Sequence, residues 1–281
     1  MSGVDVTFGL AWGRGTCEAA WYKRRSMSRA RRLVQLHYSP WSERARWALD
    51  HHGIAYETVE HVPFLGEMRL RRIVGKKAKR ATVPVLIDGD TVLTESWDIA
   101  LYADRTGAGT KLIPSDREGD VRTWTELADQ ASAHGRLLVV SALLASEGAL
   151  DESLPFPLPS WLQATMRPVT RFGLRWFARK YGLASAAAEE VENRLRPALD
   201  RLRDAVALGP FLVGGRFSYA DIAMASLLQG ISPVGSGFIR LGPATRRAWT
   251  RPTLEAAYPQ LVRWRDNLYL EHRGRPAKVG S

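Results

Sequence analysis

Leu33-Val34-Gln35-Leu36-His37-Tyr38-Ser39-Pro40-Trp41-Ser42-Glu43-Arg44-Ala45-Arg46-Trp47-Ala48-Leu49 holds a strand, a turn and a helix in one run. The apolar-rich segment to Tyr38 predicts a short strand. Ser39 is a favoured helix N-cap and Pro40 suits the first helical position, so the backbone is expected to turn there and enter a helix. That helix is predicted through Trp41, Ala45 and Leu49, ending near His51-His52-Gly53.

Outward from this run, Ile54–Glu60 reads as a second strand and residues 65–80 as an irregular basic helix and loop. Val83-Pro84-Val85-Leu86-Ile87 reads as a third strand, Asp88-Gly89-Asp90 as a hairpin turn and Thr91-Val92-Leu93 as a fourth strand. A helix is expected over Glu95–Asp104. The order β-α-β-α-β-β-α predicts an α/β sheet with helices packed on it. Beyond Gly107-Ala108-Gly109 and Pro114 no strand pattern recurs. One helix is expected over Arg117–Glu147, with Val121, Trp124, Leu127, Ala128 and Ala131 at helical spacing. A loop follows at Pro155, Pro157 and Pro159, then a basic, aromatic segment over Trp161–Tyr181. Glu189–Leu208 is expected to be helical with a bend at Pro197. Ser218-Tyr219-Ala220-Asp221 has the pattern of a capping box, and a last helix is expected from Tyr258 to about His272. The domain reading is a basic extension over 1–30 (disordered or non-native), an α/β domain over 31–107, a linker over 108–117 and an all-α domain over 118–275.

The chain has 281 residues, 40 basic against 29 acidic side chains, and a formal charge of +11. This charge is local. Residues 1–32 hold seven bases against two acids, and residues 67–80 hold seven against Glu67 alone, while the remainder balances. The run Arg69, Arg71, Arg72, Lys76, Lys77, Lys79, Arg80 has no interleaved aromatics, which argues against nucleic acid. Cys17, the single cysteine, excludes an internal disulfide framework and a Cys-rich zinc site. His37, His51, His52 and His134 lack metal-ligand spacing, so no metal is expected. No apolar run reaches the ~18 residues of a membrane span, which argues against integral membrane association.

Three pieces of this sequence resemble the glutathione S-transferase superfamily, in its serine-type, bacterial-like form. Tyr38-Ser39-Pro40-Trp41-Ser42-Glu43-Arg44-Ala45-Arg46 is similar to the family's active-site turn. Thr82-Val83-Pro84-Val85-Leu86, with Glu95-Ser96-Trp97-Asp98-Ile99 downstream, is similar to its cis-proline and glutathione-binding motif. Phe211-Leu212-Val213-Gly214-Gly215 leading into Ser218-Tyr219-Ala220-Asp221-Ile222-Ala223 is similar to the capping signature of its second domain. The resemblance implies a thioredoxin-like N-terminal domain binding glutathione, joined to an all-α domain that supplies an electrophile pocket.

For the site, the resemblance implies that Ser39 meets the glutathione sulfur, with Tyr38 as second choice and Ser42 as third. It further implies a cis Pro84, pairing of the Val83 backbone with the cysteinyl part, and Glu95 and Ser96 on the γ-glutamyl group. Lys79 and Arg80 are assigned to the glycyl carboxylate, and the pocket wall to Trp41 and, from the helical domain, to Trp124, with Trp161 or Phe172 as alternatives. The implied function is transfer of glutathione to an apolar electrophile, as in detoxification, by a cytoplasmic homodimer with glutathione as co-substrate. Alternatives on the same fold are a glutathione-dependent isomerase, dehalogenase or ether-cleaving lyase, and a non-catalytic binding or interaction protein.

Overall fold

A computed structural model describes residues 30–75, 81–153, 159–181 and 188–274. Most of the basic extension with Cys17, the Pro155–Pro157 loop, and Lys79 and Arg80 lie outside the described residues. The first half folds as β1 (Arg32–Gln35), α1 (Pro40–His51), β2 (Glu57–Glu60), α2 (Glu67–Val74), β3 (Val85–Asp88), β4 (Thr91–Leu93) and α3 (Ser96–Thr106). The sheet order is β2-β1-β3-β4. β1 runs parallel to β2, and β3 is antiparallel to both β1 and β4. The α/β prediction therefore holds, with shorter strands than the sequence suggests. β1 stops at Gln35, so Tyr38 lies in the turn rather than closing the strand, and β3 begins only after Pro84.

Strand alternation splits the core into two faces. Leu33 and Leu86 face Trp47, Leu49, Ile99 and the helical half. Val34 and Val85 face the other way and are covered by Leu70 of α2. α1 is buried on every side from Ser42 to Leu49, including Glu43, Arg44 and Arg46. It is wedged between the sheet, α3 and the second half, so its charged residues need partners inside the protein.

The described elements of the second half are helices: α4 (Glu118–Ala145), α5 (Glu147–Glu152), α6 (Ser160–Lys180), α7 (Ala188–Leu208), α8 (Tyr219–Leu227), α9 (Pro243–Trp249), α10 (Pro252–Ala257) and α11 (Pro259–Leu268). The helix expected over Arg117–Glu147 breaks at Ser146, whose hydroxyl accepts the Ala149 N–H and caps α5. A π turn over Tyr269–Arg273 extends α11. The predicted capping box opens α8. Asp221 accepts the Leu212 N–H, the Ser218 N–H and the Ser218 hydroxyl, each at 2.8 Å. Its burial pushes the carboxyl up to about 6, against the lowering effect of those three bonds. The link between the halves is anchored by Asp104, which accepts the Leu112 and Ile113 N–H groups and pairs with His52. Gly107 and Gly109 approach His52 and His51 so closely that any side chain there would collide.

Candidate active site

Sheet register decides where the sequence motifs meet. Val34 of β1 pairs with Val85 of β3, so the turn after β1 and the Val83–Pro84 segment before β3 lie at the same end of the sheet. Leu86 pairs with Leu93, which brings the end of β4 and the start of α3 to that end as well. Ser39, Val83, Pro84, Glu95 and Ser96 thus converge through backbone pairing alone.

The turn at residues 36–39 is held from several directions. Ser39 N–H donates to the Leu36 carbonyl at 3.0 Å. The buried Ser42 hydroxyl accepts the Leu36 N–H at 3.2 Å. Arg46 donates to the His37 carbonyl at 2.8 Å, and Glu60 accepts the His37 N–H at 2.8 Å. Ser39 occupies the N-cap of α1 in an extended conformation (φ −74°, ψ 129°), half-buried, and its side chain makes no capping bond. The ordinary N-cap role is therefore not what occupies this hydroxyl.

Ser42 is removed from the candidates, because it is fully buried and committed to the turn. Tyr38 points into a cluster with Leu143, Ala149 and Trp249, its ring edge-on to Trp249 at 5.9 Å. Burial, reinforced by Glu60, pushes its phenol well above the usual tyrosine range, so it stays protonated. Val83–Pro84 is a cis peptide bond, as expected. Glu95 is the extended N-cap residue of α3, without a side-chain cap bond, and Ser96 behind it is buried. The protein around Glu95, with Asp98 and Asp129, raises its carboxyl above the ordinary value.

The helical half adds side chains that sequence reasoning missed. Arg44, fully buried on α1, donates to Asp129 of α4 at 2.5 Å and to Ser132 at 3.4 Å. The Trp41 indole donates to the same Asp129 oxygen at 2.8 Å. Arg136, seven residues on, lies over Trp41 at 4.3 Å and over Tyr181 at 4.1 Å from the ring centroids. At the end of α6, Lys180 donates to Glu67 of α2 at 2.6 Å and to the Ala81 carbonyl at 2.8 Å. α6 thus reaches from the helical half to the segment before the cis-proline.

Trp41 lies in the first turn of α1, two residues after Ser39. Trp124 lies under Arg201 at 5.0 Å, on the side of α7, and lines a cleft of about 340 Å³ with Arg117, Leu212 and Gly214. Among the described residues, no three of His, Cys, Asp and Glu gather as a metal cluster, and no helix is long and apolar enough to cross a membrane.

Comparison with known proteins agrees with this architecture. The family model described as glutathione S-transferase, N-terminal domain, matches residues 33–111, and that described as glutathione S-transferase, C-terminal domain, matches residues 185–267. A probable glutathione S-transferase of Nicotiana tabacum is 24% identical over 240 residues, covering 84% of this chain and 82% of that protein. Glutathione S-transferase U2 of Arabidopsis thaliana is 33% identical over 103 residues, 35% of this chain and 44% of that one. Among solved structures, a glutathione S-transferase of Methylobacillus flagellatus with glutathione bound has a TM-score of 0.53 at 21% identity, covering 85% of this chain and 95% of that one. The β-etherase LigF of a Sphingobium strain has a TM-score of 0.57 at 18% identity, covering 88% and 96%.

Proposed function

Because the chain belongs to the glutathione S-transferase superfamily, we propose that it ionises the thiol of glutathione at Ser39 and directs it at an electrophile held against the helical half. The observation that carries this reading is the Ser39 hydroxyl, which heads α1 without capping it, at the sheet end that also holds cis Val83–Pro84. A free thiol has a pKa of about 8.5, and lowering it by about two units requires about 2.7 kcal/mol of preference for the thiolate. A hydroxyl donating to an anion contributes about 1.5–3 kcal/mol. The N-terminal end of a helix adds about 0.3–1 kcal/mol. Together these match the requirement, with no other base.

In this arrangement the Val83 N–H and C=O pair with the cysteinyl part of glutathione. The free N–H groups at the start of α3 and the Ser96 hydroxyl receive the γ-glutamyl carboxylate, and Glu95 receives the amine. Lys79 and Arg80 are the proposed partners of the glycyl carboxylate. The thiol proton passes to water. The thiolate then forms the carbon–sulfur bond while the leaving group departs with its electron pair. A homodimer working in the cytoplasm belongs to the same reading.

The test compares wild type and Ser39→Ala on a chloro-dinitroaromatic at saturating glutathione. Loss of about 10²-fold in kcat is expected. The ultraviolet thiolate titration of bound glutathione should move upward by one to two pH units, roughly the two-unit activation assigned to the serine. An unchanged titration would remove Ser39 from the role. Retention on immobilised glutathione without any turnover would favour one of the specialised enzymes.

A further inference from the structure

α4 presents two charged residues to the active-site turn, and only one is neutralised. Asp129 and Arg136 are seven residues apart, so they lie on one stripe of the helix about 10 Å from each other. Asp129 is spent on Arg44 and Trp41. Arg136 is half-buried, its guanidinium carbon 4.3 Å from the Trp41 ring centroid and 4.1 Å from that of Tyr181. Among the described residues it has no ion pair and no hydrogen-bond acceptor; Asp129 and Tyr181 act on it only through their fields.

Aromatic rings can satisfy the faces of a guanidinium, but its five N–H donors point outward in the plane. None of those nitrogens is a buried atom left without a partner, so water still reaches them and an incoming carboxylate would take the place of that water. Partial burial pushes the Arg136 guanidinium below its usual range. Trp41, which carries the clamp, follows Ser39 by two residues, at most about 7 Å along the backbone. Both Arg136 and Tyr181 fall between the two family matches, which end at residue 111 and resume at residue 185.

We propose that the clamped Arg136 is an anion-reading residue of the electrophile pocket, and that the enzyme is selective for flat aryl electrophiles bearing a carboxylate. The acid would bind the in-plane N–H groups while the ring's reacting carbon faces the sulfur at Ser39. This inference rests on the glutathione-transfer reading and narrows its substrate class. The glycyl carboxylate of glutathione is the competing anion, and the glutathione KM measured with both probes tells the two apart.

The experiment uses the full chain, glutathione, and two probes: 4-chloro-3-nitrobenzoate and its methyl ester. The kcat/KM ratio of acid to ester is normalised to the ratio of their uncatalysed reactions. Wild type is expected to favour the acid by roughly tenfold or more, as for a charge-assisted pair. Arg136→Gln should bring the ratio to near one, chiefly through KM of the acid, and Arg136→Lys should keep part of it. A normalised ratio near one in wild type would overturn the proposal. So would a ratio that survives in Arg136→Gln, or a glutathione KM that rises equally with both probes. Binding of 3-nitrobenzoate, which has no leaving group, is followed separately by quenching of tryptophan emission. Binding that Arg136→Gln abolishes, in a protein that turns over neither probe, would sustain the anion site and sink the transfer reading. Turnover without acid preference would do the reverse.

Discussion

Ser39 and Ser42 are three residues apart and carry the same hydroxyl, yet the structure gives them opposite duties. Ser42 is fully buried and receives the Leu36 N–H. Ser42→Ala strands that donor and should cost about 1–3 kcal/mol of stability, read as a lowered urea midpoint, without moving the thiolate titration of bound glutathione. Ser39 makes no capping bond. Ser39→Ala should therefore change stability by no more than about 0.5 kcal/mol while impairing thiolate formation. A loss of about 1 kcal/mol in Ser39→Ala would instead be the signature of an N-cap. The double measurement, stability beside titration, separates the two serines better than activity alone, because a collapsed turn would also lower activity.

At the scale of elements, α6 ties the two halves together beside the cis-proline segment. Its last turn is pinned by Lys180 to Glu67 and to the Ala81 carbonyl, joining the helical half to the segment before cis Pro84. Lys180→Met should release this end. Amide exchange over 160–180 is expected to quicken several-fold and KM for the electrophile to rise, while global stability falls by only about 1 kcal/mol, as for a partly exposed pair. Equal exchange in variant and wild type would show that packing alone holds the helix. The elements legible in the sequence were those specified locally: Ser39-Pro40 opening α1, the Ser218–Asp221 box opening α8, and the turn at Gly89. Residues whose meaning depends on a partner far along the chain were not legible. Arg44 and Asp129 are 85 positions apart. Neither shows its role until α1 and α4 pack together. The placement of Trp124 depends on packing in the same way. It lies five residues before Asp129, roughly 140° around the helix, so it faces α7 while Asp129 faces the site. The seven-residue spacing of Asp129 and Arg136 was the one available signal for the missed residues, and only the position of Trp41 gives it meaning.

For the whole molecule, the chain closes on itself where its last described turn returns to α1. Trp47 donates to the His272 carbonyl at 3.1 Å, and Arg273 donates to Glu43 at 2.8 Å and to Asp50 at 2.7 Å. Arg46 holds the same Glu43 from within α1. Burial alone would raise the Glu43 carboxyl, but Arg273 and Arg46 outweigh it and bring the value down to about 2 from an ordinary 4.5. Between these values the unfolded chain binds the proton and the folded one does not, so stability increases with pH across that window. The contribution is complete above about pH 4.5 and is lost as pH falls through about 2; its size is about 3 kcal/mol. Arg273→Met removes the long-range partner and leaves Glu43 buried with Arg46 only. It should cost about 3–5 kcal/mol near neutral pH, as for a broken buried pair, and the difference from wild type should shrink steadily below pH 4. Urea midpoints measured from pH 7 down to pH 2.5 decide the matter. A difference that stays constant with pH would mean that Arg273 acts by packing over Trp47, 5.9 Å from its ring centroid, and that charge is not what fastens this turn to α1.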